Sequence, residues 1–218
     1  MTIELELFSY WRSSAAYRVR IGLQLKQLHF TQSPVHLVRD GGEQHAPQYA
    51  RLNPQRLVPT LRHEGRVLTQ SLAILEYLDE TWPTPPLLPV DPAGRARVRA
   101  LAQMLACDVH PLNNLRVIRY LEDEWEIAQS DRQAWMQHWT LVGFTAFERQ
   151  LQVGPPGRFC HGDQPGLADC CLLPQLYNAR RFGVALSGYP AILRVEAACM
   201  QLEAFARARP EAQPDAVP

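Results

Sequence analysis

Two adjacent hydroxyl side chains, Ser13 and Ser14, lie where a short alternating strand gives way to a helix. The unpaired N–H groups and the dipole of a helix N-terminus favour negative charge, and a hydroxyl there can donate a hydrogen bond to an anion such as a thiolate. Serine is also a preferred N-cap residue, so the same side chains could simply cap the helix. This stretch alone favours capping over catalysis.

Three further segments could bind an extended ligand. Pro59 precedes a predicted strand and leaves the main chain of Val58 open for pairing; its peptide bond is expected to be trans, since only about 5–6% of X–Pro bonds are cis. Gln70 and Ser71 open a helix whose first amides can bind a carboxylate, with a plain cap as the alternative. Residues 110–116 interrupt a long predicted helix with polar groups, which could equally be a solvated face.

The composition excludes several classes of partner. The 218 residues carry 22 basic and 22 acidic side chains, so no electrostatic footprint for nucleic acid or an anionic membrane is present. No apolar run approaches the roughly 20 residues of a membrane helix. The first residues do not resemble a signal peptide, and we therefore predict a cytoplasmic protein.

The cysteines argue against a disulfide framework and against a metal site. They are odd in number, lack a Cys-x-x-Cys motif and do not show zinc-ligand spacing. We expect all five to be small buried apolar residues: Cys107, Cys160, Cys170, Cys171 and Cys199. None lies in the first hundred residues, so thiol chemistry there requires the sulfur of a ligand.

The first eighty residues alternate strand and helix signals, which predicts an α/β layer architecture in the order β-α-β-α-β-β-α. Pro34 suits an edge or irregular strand, and residues 63–66 read as a hairpin turn. The predicted strands cover 3–8, 30–37, 60–62 and 67–69, and the predicted helices cover 14–26, 46–52 and a segment that begins at 71.

A proline-rich stretch, 81–89, separates this region from a helical one, since four prolines there cannot continue a helix. Helices are predicted over 93–120, with a kink at Pro111, and over 131–151, 168–182 and 190–207. The resulting division is a domain at 1–82, a linker at 83–92, an all-helical domain at 93–209 and a flexible tail at 210–218.

Four motifs together resemble the glutathione transferases, and most closely their zeta class, the family of maleylacetoacetate and maleylpyruvate isomerases. The resemblance covers nearly the whole chain. The Val-Pro and Gln-Ser pairs are shared by many transferase classes, whereas the doubled serine before Arg-Val-Arg-Ile points to zeta. The motifs are Ser-Ser-x-x-x-Arg-Val-Arg-Ile at 13–21, Leu-Val-Pro-Thr-Leu at 57–61, Gln-Ser-Leu-Ala-Ile at 70–74 and Leu-Ala-Asp-Cys at 167–170.

The resemblance implies a thioredoxin-like N-terminal domain that binds glutathione, an all-α C-terminal domain and a homodimer. Pro59 would then be cis, with the main chain of Val58 pairing with the cysteinyl part of the tripeptide. Gln70 and Ser71 would bind its γ-glutamyl end, and Gln44 its glycyl end. His110, Asn114, Leu115 and Arg116 match the stretch where the long helix closes over the site.

The activity implied is glutathione-dependent cis–trans isomerisation of a maleyl keto-acid, in aromatic or tyrosine catabolism. The glutathione thiolate, stabilised by Ser13 or Ser14, adds to the double bond, the bond rotates in the enolate, and the thiol leaves. A dicarboxylic substrate requires fixed cations, and arginine binds carboxylates bidentately. Arg12, Arg116 and Arg181 are the candidates, against the alternative that each is a surface side chain.

The chain departs from the family pattern at two positions. Ala15 stands where the zeta motif has a cysteine, which disfavours a redox or covalent role for the protein's own sulfur, and Gly166 replaces the hydroxyl that opens the helix before Asp169. Two other functions stay open. One is a general transferase that acts on electrophiles or α-halo acids, and the other is a non-catalytic scaffold on the same fold.

Overall fold

The computed structural model describes residues 4–217, and the chain forms two compact units. The first unit contains the chain up to Leu87 together with the segment from Leu202 onwards, and the second contains Leu88–Gln201. The predicted helical domain, 93–209, therefore ends too late, because its last residues belong to the first unit. Ile3, in the first predicted strand, and Pro218 lie outside the described residues.

The first unit is built around a four-stranded mixed sheet in the order β2-β1-β3-β4. Strand β1 pairs in parallel with β2 and antiparallel with β3, and β3 and β4 form a hairpin. The predicted α/β order is confirmed, although the second strand is much shorter than expected. The elements are β1 Leu5–Ser9, α1 Ser14–Leu25, β2 Thr31–Pro34, α2 Pro47–Leu52, β3 Thr60–His63, β4 Arg66–Thr69 and α3 Ser71–Thr81.

Alternating burial explains β1, because Leu5 and Leu7 face the core while Glu6 and Phe8 are half-buried. Helices α1 and α3 pack closely at Gly22, where a Cβ atom would collide with the side chain of Leu75. The sheet and these helices thus form the layers that support the residues at the strand ends.

The second unit is helical, but the predicted long helix over 93–120 is wrong. A π-helical segment, Met104–Val109, and a 3₁₀ turn, Pro111–Asn113, break it. Proline has no N–H to donate, so the break at Pro111 is larger than a kink. The helices are α4 Pro92–Gln103, α5 Leu115–Asp123, α6 Gln129–Val153, α7 Leu167–Arg181 and α8 Pro190–Met200.

Two buried carboxylates cap helices of the second unit. Glu148 on α6 accepts hydrogen bonds from the amides of Ala191 and Ile192 at the start of α8. Asp169 accepts from the amides of Gly166 and Cys160, both at 2.9 Å. Since Gly166 has no side chain, only the carboxylate half of a capping box is present. Asp169 therefore has a folding role here.

The C-terminal segment folds back onto the first unit. Helix α9, Glu203–Ala208, packs on α1, and a 3₁₀ turn, Pro210–Ala212, follows. The Gln213 amide donates to the carbonyl oxygens of Arg207 at 2.9 Å and Arg209 at 2.6 Å. The prediction of a flexible tail from 210 is therefore wrong for residues 210–217, which are held by specific contacts.

A buried ion pair ties the proline-rich stretch to the first unit. The Lys26 ammonium, with 0% of its side chain exposed, lies 2.6 Å from Asp79 and donates to the carbonyl oxygens of Trp82 and Pro85. Asp79 also accepts from the Leu87 amide at 2.7 Å. Each group in this cluster thus has a polar partner, which offsets the cost of burying both charges.

We expect Lys26→Met to lower the free energy of unfolding by about 3–5 kcal/mol, because it leaves Asp79 buried without its cation. Chemical denaturation followed by circular dichroism measures the change. Arg66→Ala, which removes the exposed Arg66–Glu64 pair, is the control and should cost about 1 kcal/mol or less. Adding Asp79→Asn to Lys26→Met should recover part of the loss. A loss of unfolding free energy in Lys26→Met no larger than that in Arg66→Ala would contradict the role assigned to the Lys26–Asp79 pair.

Candidate active site

The sheet register brings four chain segments to one edge. Phe8 pairs with Thr60 and Thr60 with Thr69, so the residues after β1, before β3 and after β4 leave the sheet at the same side. Ser9 pairs in parallel with Pro34, so the loop after β2 leaves there too. This edge thereby carries the segments that contain the candidate residues of the first unit: Arg12, Ser13, Ser14, Gln44, Val58, Pro59, Gln70 and Ser71.

The two serines have different environments at the start of α1. Ser13 is the N-cap, half-buried, and its Oγ accepts the Ala16 amide at 3.2 Å. This bond occupies a lone pair of the oxygen and leaves the hydroxyl hydrogen able to donate. Ser14 lies in the first turn and is buried. Capping and donation to an anion are therefore compatible in Ser13.

Arg12 is held against aromatic rings just before the serines. Its guanidinium carbon lies 4.9 Å from the centre of the Trp11 ring, and Nη2 donates to the Tyr10 hydroxyl at 3.2 Å. Stacking on an aromatic face leaves the edge of a guanidinium available for a planar carboxylate. The arrangement suits recognition of an acid.

A second arginine fixes the main chain that carries Arg12. Arg20 on α1 is fully buried, and its Nη1 and Nη2 donate to the carbonyl oxygens of Tyr10 at 3.4 Å and Trp11 at 2.9 Å. Nη1 also donates to the Ser9 hydroxyl at 3.1 Å, and Nε donates to the carbonyl of Ala208. No local pattern in the sequence indicates these contacts of Arg20 with the main chain.

The Val58–Pro59 peptide bond is cis, as the resemblance implies and against the sequence default. The Thr84–Pro85 bond is also cis, which the sequence did not indicate. Before Pro59, the Leu57 carbonyl accepts from the Tyr49 hydroxyl at 2.6 Å and from the Asn53 amide at 2.7 Å. The main chain of Val58 makes no hydrogen bond to another residue between 4 and 217, so it can pair with an extended ligand.

Burial raises the pKa of Tyr49, although hydrogen bonds with Thr60 and Asn53 oppose the shift. The phenol therefore stays protonated at neutral pH and acts as a donor to the Leu57 carbonyl. It belongs to an apolar cluster that also contains Tyr10, Trp11 and Val58. This cluster supports both the Arg12 loop and the segment before Pro59.

Gln70 and Ser71 open α3 as predicted. Gln70 has φ of 68°, a left-handed conformation that is uncommon for glutamine, and its side chain donates to Gln55 at 2.8 Å. The Ser71 hydroxyl accepts from Nη1 of Arg18, which is 2% exposed, at 3.1 Å. The hydroxyl hydrogen of Ser71 and the first amides of α3 therefore remain available to a carboxylate. The buried Arg18 guanidinium, which binds the Ser71 oxygen, adds a positive charge next to them.

Gln44 is buried in the loop that follows β2. Its Nε2 donates weakly to the Leu37 carbonyl at 3.4 Å, and its Oε1 has no hydrogen-bond partner among the described residues. A buried acceptor without a partner is costly, and an incoming N–H group would satisfy it. Gln44 thus fits a peptide ligand at the position where the resemblance expects the glycyl end.

The remaining candidates belong to the second unit. His110 precedes the 3₁₀ turn and is half-buried, and Asn114 caps α5 by accepting the Arg116 amide at 3.1 Å. Leu115 begins α5 and is half-buried, while the Arg116 side chain is exposed. Asn114 therefore acts as a helix cap, a role that neither the ligand-binding interpretation nor the solvated-face alternative for this stretch included.

Two neighbouring arginines at the end of α7 differ in their contacts. Both nitrogens of the Arg180 fork donate to Glu196 at 2.6 Å. The Arg181 guanidinium instead lies 5.7 Å from the Phe182 ring centre and 6.0 Å from that of Tyr177, and it donates to the Asn178 side chain at 3.3 Å. Arg180 is thus committed to an ion pair, and Arg181 repeats the aromatic support seen at Arg12.

Most of the protein's own thiols are buried, which makes them unsuited to act as nucleophiles. Burial raises the pKa of Cys160 and of Cys199, and the nearby Asp169 raises both further. Cys170 and Cys171 are buried as well, but Cys107 is exposed, so the expectation that all five are buried is wrong for that residue. The two shifted thiols remain protonated at neutral pH and are therefore poor nucleophiles.

Residues 4–217 contain neither a side-chain cluster suited to a metal ion nor a helix suited to a membrane. No group of three or more His, Cys, Asp or Glu side chains in that range could hold a metal ion. No helix in it combines the length and the hydropathy needed to cross a bilayer.

Three sets of contacts around the candidate site join residues distant in sequence, so no local pattern predicts them. They are the hydrogen bond of Arg18 to Ser71, those of Arg20 to the main chain and those of the C-terminal segment.

Known proteins resemble the chain along its full length. A family model of the glutathione S-transferase N-terminal domain matches residues 12–81. A probable maleylacetoacetate isomerase from Vibrio cholerae serotype O1 is 48% identical over 214 residues, which cover 98% of this chain and 99% of that protein.

Solved structures give the same result. The holo structure of a bacterial zeta-class maleyl pyruvate isomerase aligns with a TM-score of 0.94 at 47% identity, over 97% of this chain and 100% of that one. The maleylacetoacetate isomerase from Anaeromyxobacter dehalogenans, with glutathione bound in its active site, aligns with a TM-score of 0.88 at 45% identity, over 99% of each chain. The predicted fold, a thioredoxin-like domain followed by a helical one, is confirmed, and the chain belongs to the zeta class of the glutathione S-transferase family.

Proposed function

We propose that the protein is a glutathione-dependent isomerase that converts the cis double bond of maleylacetoacetate or maleylpyruvate into the trans form. The observation that carries the proposal is the pairing of Ser13, a hydroxyl able to donate at a helix N-terminus, with Arg12, a guanidinium held by aromatic rings in the adjacent position. A donor for an anion and a fork for a carboxylate are the two groups that this reaction requires. The names of the relatives support the same activity.

The residues of the first unit fit a glutathione molecule. The Val58 main chain can pair with its extended backbone, and Gln70 and Ser71 at the start of α3 can bind its γ-glutamyl carboxylate. Gln44 offers a buried acceptor to its glycyl end. In the second unit, His110, Asn114, Leu115 and Arg116 complete the proposed set of binding residues. The glutathione bound in the Anaeromyxobacter relative supports this cofactor.

When bound, glutathione supplies a thiolate that adds reversibly to the substrate double bond and so permits rotation about it. A free thiol has a pKa of about 8.5, and each unit of depression corresponds to about 1.4 kcal/mol of stabilisation of the anion. Ser13 would donate a hydrogen bond to that sulfur, and the amides and dipole of α1 would add to the effect. The protein's role at this position is to hold the negative charge.

Arginine side chains hold the acidic substrate. Arg12 and Arg181 each lie on aromatic rings and present a planar fork, which binds a carboxylate through two parallel hydrogen bonds. Arg116 is exposed on α5 and is proposed as a third cation. A guanidinium group also favours negative charge that develops on a keto oxygen of the substrate.

We also propose a cytoplasmic homodimer. The thiols of Cys160, Cys170, Cys171 and Cys199 are buried, and no disulfide joins the cysteines within residues 4–217, as is usual in a reducing compartment. The dimer rests on the family resemblance. Sedimentation of the purified protein would show twice the mass of one chain, and a monomer at micromolar concentration would contradict this assembly.

The purified enzyme should isomerise maleylpyruvate, maleylacetoacetate or both only when glutathione is present. The measurement is the absorbance change on conversion to the fumaryl product, run beside conjugation of a chlorinated aromatic and release of chloride from an α-chloro acid. Strong conjugation or dehalogenation without isomerisation would favour the general transferase. Calorimetry that detects no binding of millimolar glutathione would favour the scaffold.

We expect Ser13→Ala to lower kcat for isomerisation on the order of 100-fold, because a single donor to a developing or stabilised anion contributes that much. Ser14→Ala is the matched control and should stay within about threefold, because it removes a buried hydroxyl rather than the donor. Ultraviolet titration of the bound thiol should show a raised thiol pKa in the first variant alone. The reverse ranking of the two variants would assign the role to Ser14.

Arg181→Ala should raise KM for the dicarboxylic substrate about tenfold or more, because it removes a bidentate charged contact worth about 1.5–3 kcal/mol. Conjugation of a neutral aromatic electrophile should change little. Arg180→Ala is the control, since that side chain is already paired with Glu196. Equal losses in both variants would indicate a structural rather than a substrate-binding role.

A further inference from the structure

The end of the chain contacts the loop that carries Arg12 and Ser13. The Asp215 carboxylate accepts the Trp11 backbone amide at 2.9 Å, a bond between residues 204 positions apart. Its other oxygen accepts Nε2 of Gln32 on β2 at 3.3 Å. Ala216 packs against the apolar cluster that contains Tyr10 and Trp11. The last described residues thus reach the segment with the proposed catalytic groups.

The segment that delivers Asp215 is itself fixed. Arg20 binds the carbonyl of Ala208 at the end of α9, and Gln213 binds the carbonyls of Arg207 and Arg209 with its amide. Gln213 is buried, and it lies two residues before Asp215. The chain therefore arrives at Trp11 in a defined position rather than as a mobile end.

Hydrogen bonds consequently fix the Trp11 main chain at both its carbonyl and its amide. Its carbonyl accepts from Nη2 of Arg20 at 2.9 Å, and its amide donates to Asp215. The Trp11 ring supports the Arg12 guanidinium at 4.9 Å. A shift of the Trp11 main chain would therefore move both the ring under Arg12 and the residue that leads to Ser13.

We propose that Asp215 is a positioning residue, which holds the Trp11 peptide so that Arg12 meets the carboxylate of the substrate. The expected effect on KM rests on the proposed isomerase function. The expected effect on the order of the loop rests on the hydrogen bonds alone. Asp215 acts through Trp11 and does not itself contact the reacting atoms.

The Asp215–Trp11 hydrogen bond is only partly buried, which indicates that it orders the loop locally and adds little to the stability of the whole fold. Asp215 is half-buried and lies near the chain end, so water can satisfy both it and the Trp11 amide when the bond is absent. The energetic cost of losing the bond is then small, while the main chain before Ser13 gains freedom. Displacements of about 1 Å in a positioning group can reduce a rate by about 100-fold.

The test compares three variants of the full-length protein. Asp215→Ala removes both acceptors, and Asp215→Asn keeps the shape. In the latter, the asparagine oxygen can still accept the Trp11 amide, and Gln32 can turn its amide to accept from the new NH₂ group. Glu211→Ala is the control, because Glu211 is exposed in the 3₁₀ turn of the same segment.

Four quantities are measured on each variant. They are KM and kcat for isomerisation of maleylpyruvate at saturating glutathione, the Kd of glutathione by calorimetry, and deuterium exchange of the amides in residues 9–16. Asp215→Ala should raise KM at least about tenfold, leave the glutathione Kd within about twofold and lose protection at Trp11 and Arg12. Asp215→Asn should stay within about threefold of the parent in KM, as should Glu211→Ala.

Wild-type KM and unchanged exchange in Asp215→Ala would overturn the inference. So would a variant that loses its cooperative unfolding transition, or one that weakens glutathione binding as much as substrate binding, because the role would then be general folding. If the parent enzyme proves inactive as an isomerase, the proposed function fails. The exchange rates still decide whether Asp215 holds this loop.

Discussion

The arrangement of the candidate site depends on one buried cation. Arg20 is fully buried, and a guanidinium in that environment must place its N–H groups on acceptors. It finds them in the Ser9 hydroxyl and in the main-chain carbonyls of Tyr10, Trp11 and Ala208. Because these acceptors are mostly backbone, the charge determines the path of the chain itself. The conformation of the loop from the end of β1 to the start of α1 therefore depends on hydrogen bonds to the buried Arg20 guanidinium. The C-terminal segment binds the same cation through the Ala208 carbonyl.

The sheet distributes the remaining binding groups around this loop. With β2 parallel to β1 and the β3–β4 hairpin antiparallel to it, four chain segments leave the sheet at one edge. The groups there that lack a hydrogen-bond partner in the described part of the chain are largely main-chain: the backbone of Val58 and the first amides of α3. Side chains add charge and orientation, through Arg18 behind Ser71 and the amide of Gln44. A peptide is suited to such a site, because its own amides and carboxylates pair with backbone groups as well as with side chains.

Local signals in the sequence were sufficient for the features that depend on neighbouring residues. The start of α3 at Ser71 and the hairpin around residues 63–66 were predicted correctly, because caps and turns are decided within a few positions. The long helix over 93–120 and the flexible tail from 210 were not. The first prediction failed because apolar spacing does not reveal a π-helical segment, and the second because proline-rich composition indicates disorder only when nothing distant binds the chain. The Asp215–Trp11 bond joins residues 204 positions apart, and no local pattern carries that information.

The charge balance around Ser13 fits the proposed use of a ligand's sulfur in a loop where Ala15 stands in place of a cysteine. Residues 9–15 contain one cation and four hydroxyl groups but no acid, so an anionic sulfur brought by a ligand meets no repulsion from this loop. The carboxylate that does contact the loop, Asp215, is directed to the amide of Trp11 and to Gln32. The protein's shifted thiols, Cys160 and Cys199, are buried with raised pKa values and do not compete for ionisation. The loop before α1 is thus suited to stabilise a negative charge that the protein does not itself supply, and the same positive charge is what the proposed acidic substrate would require.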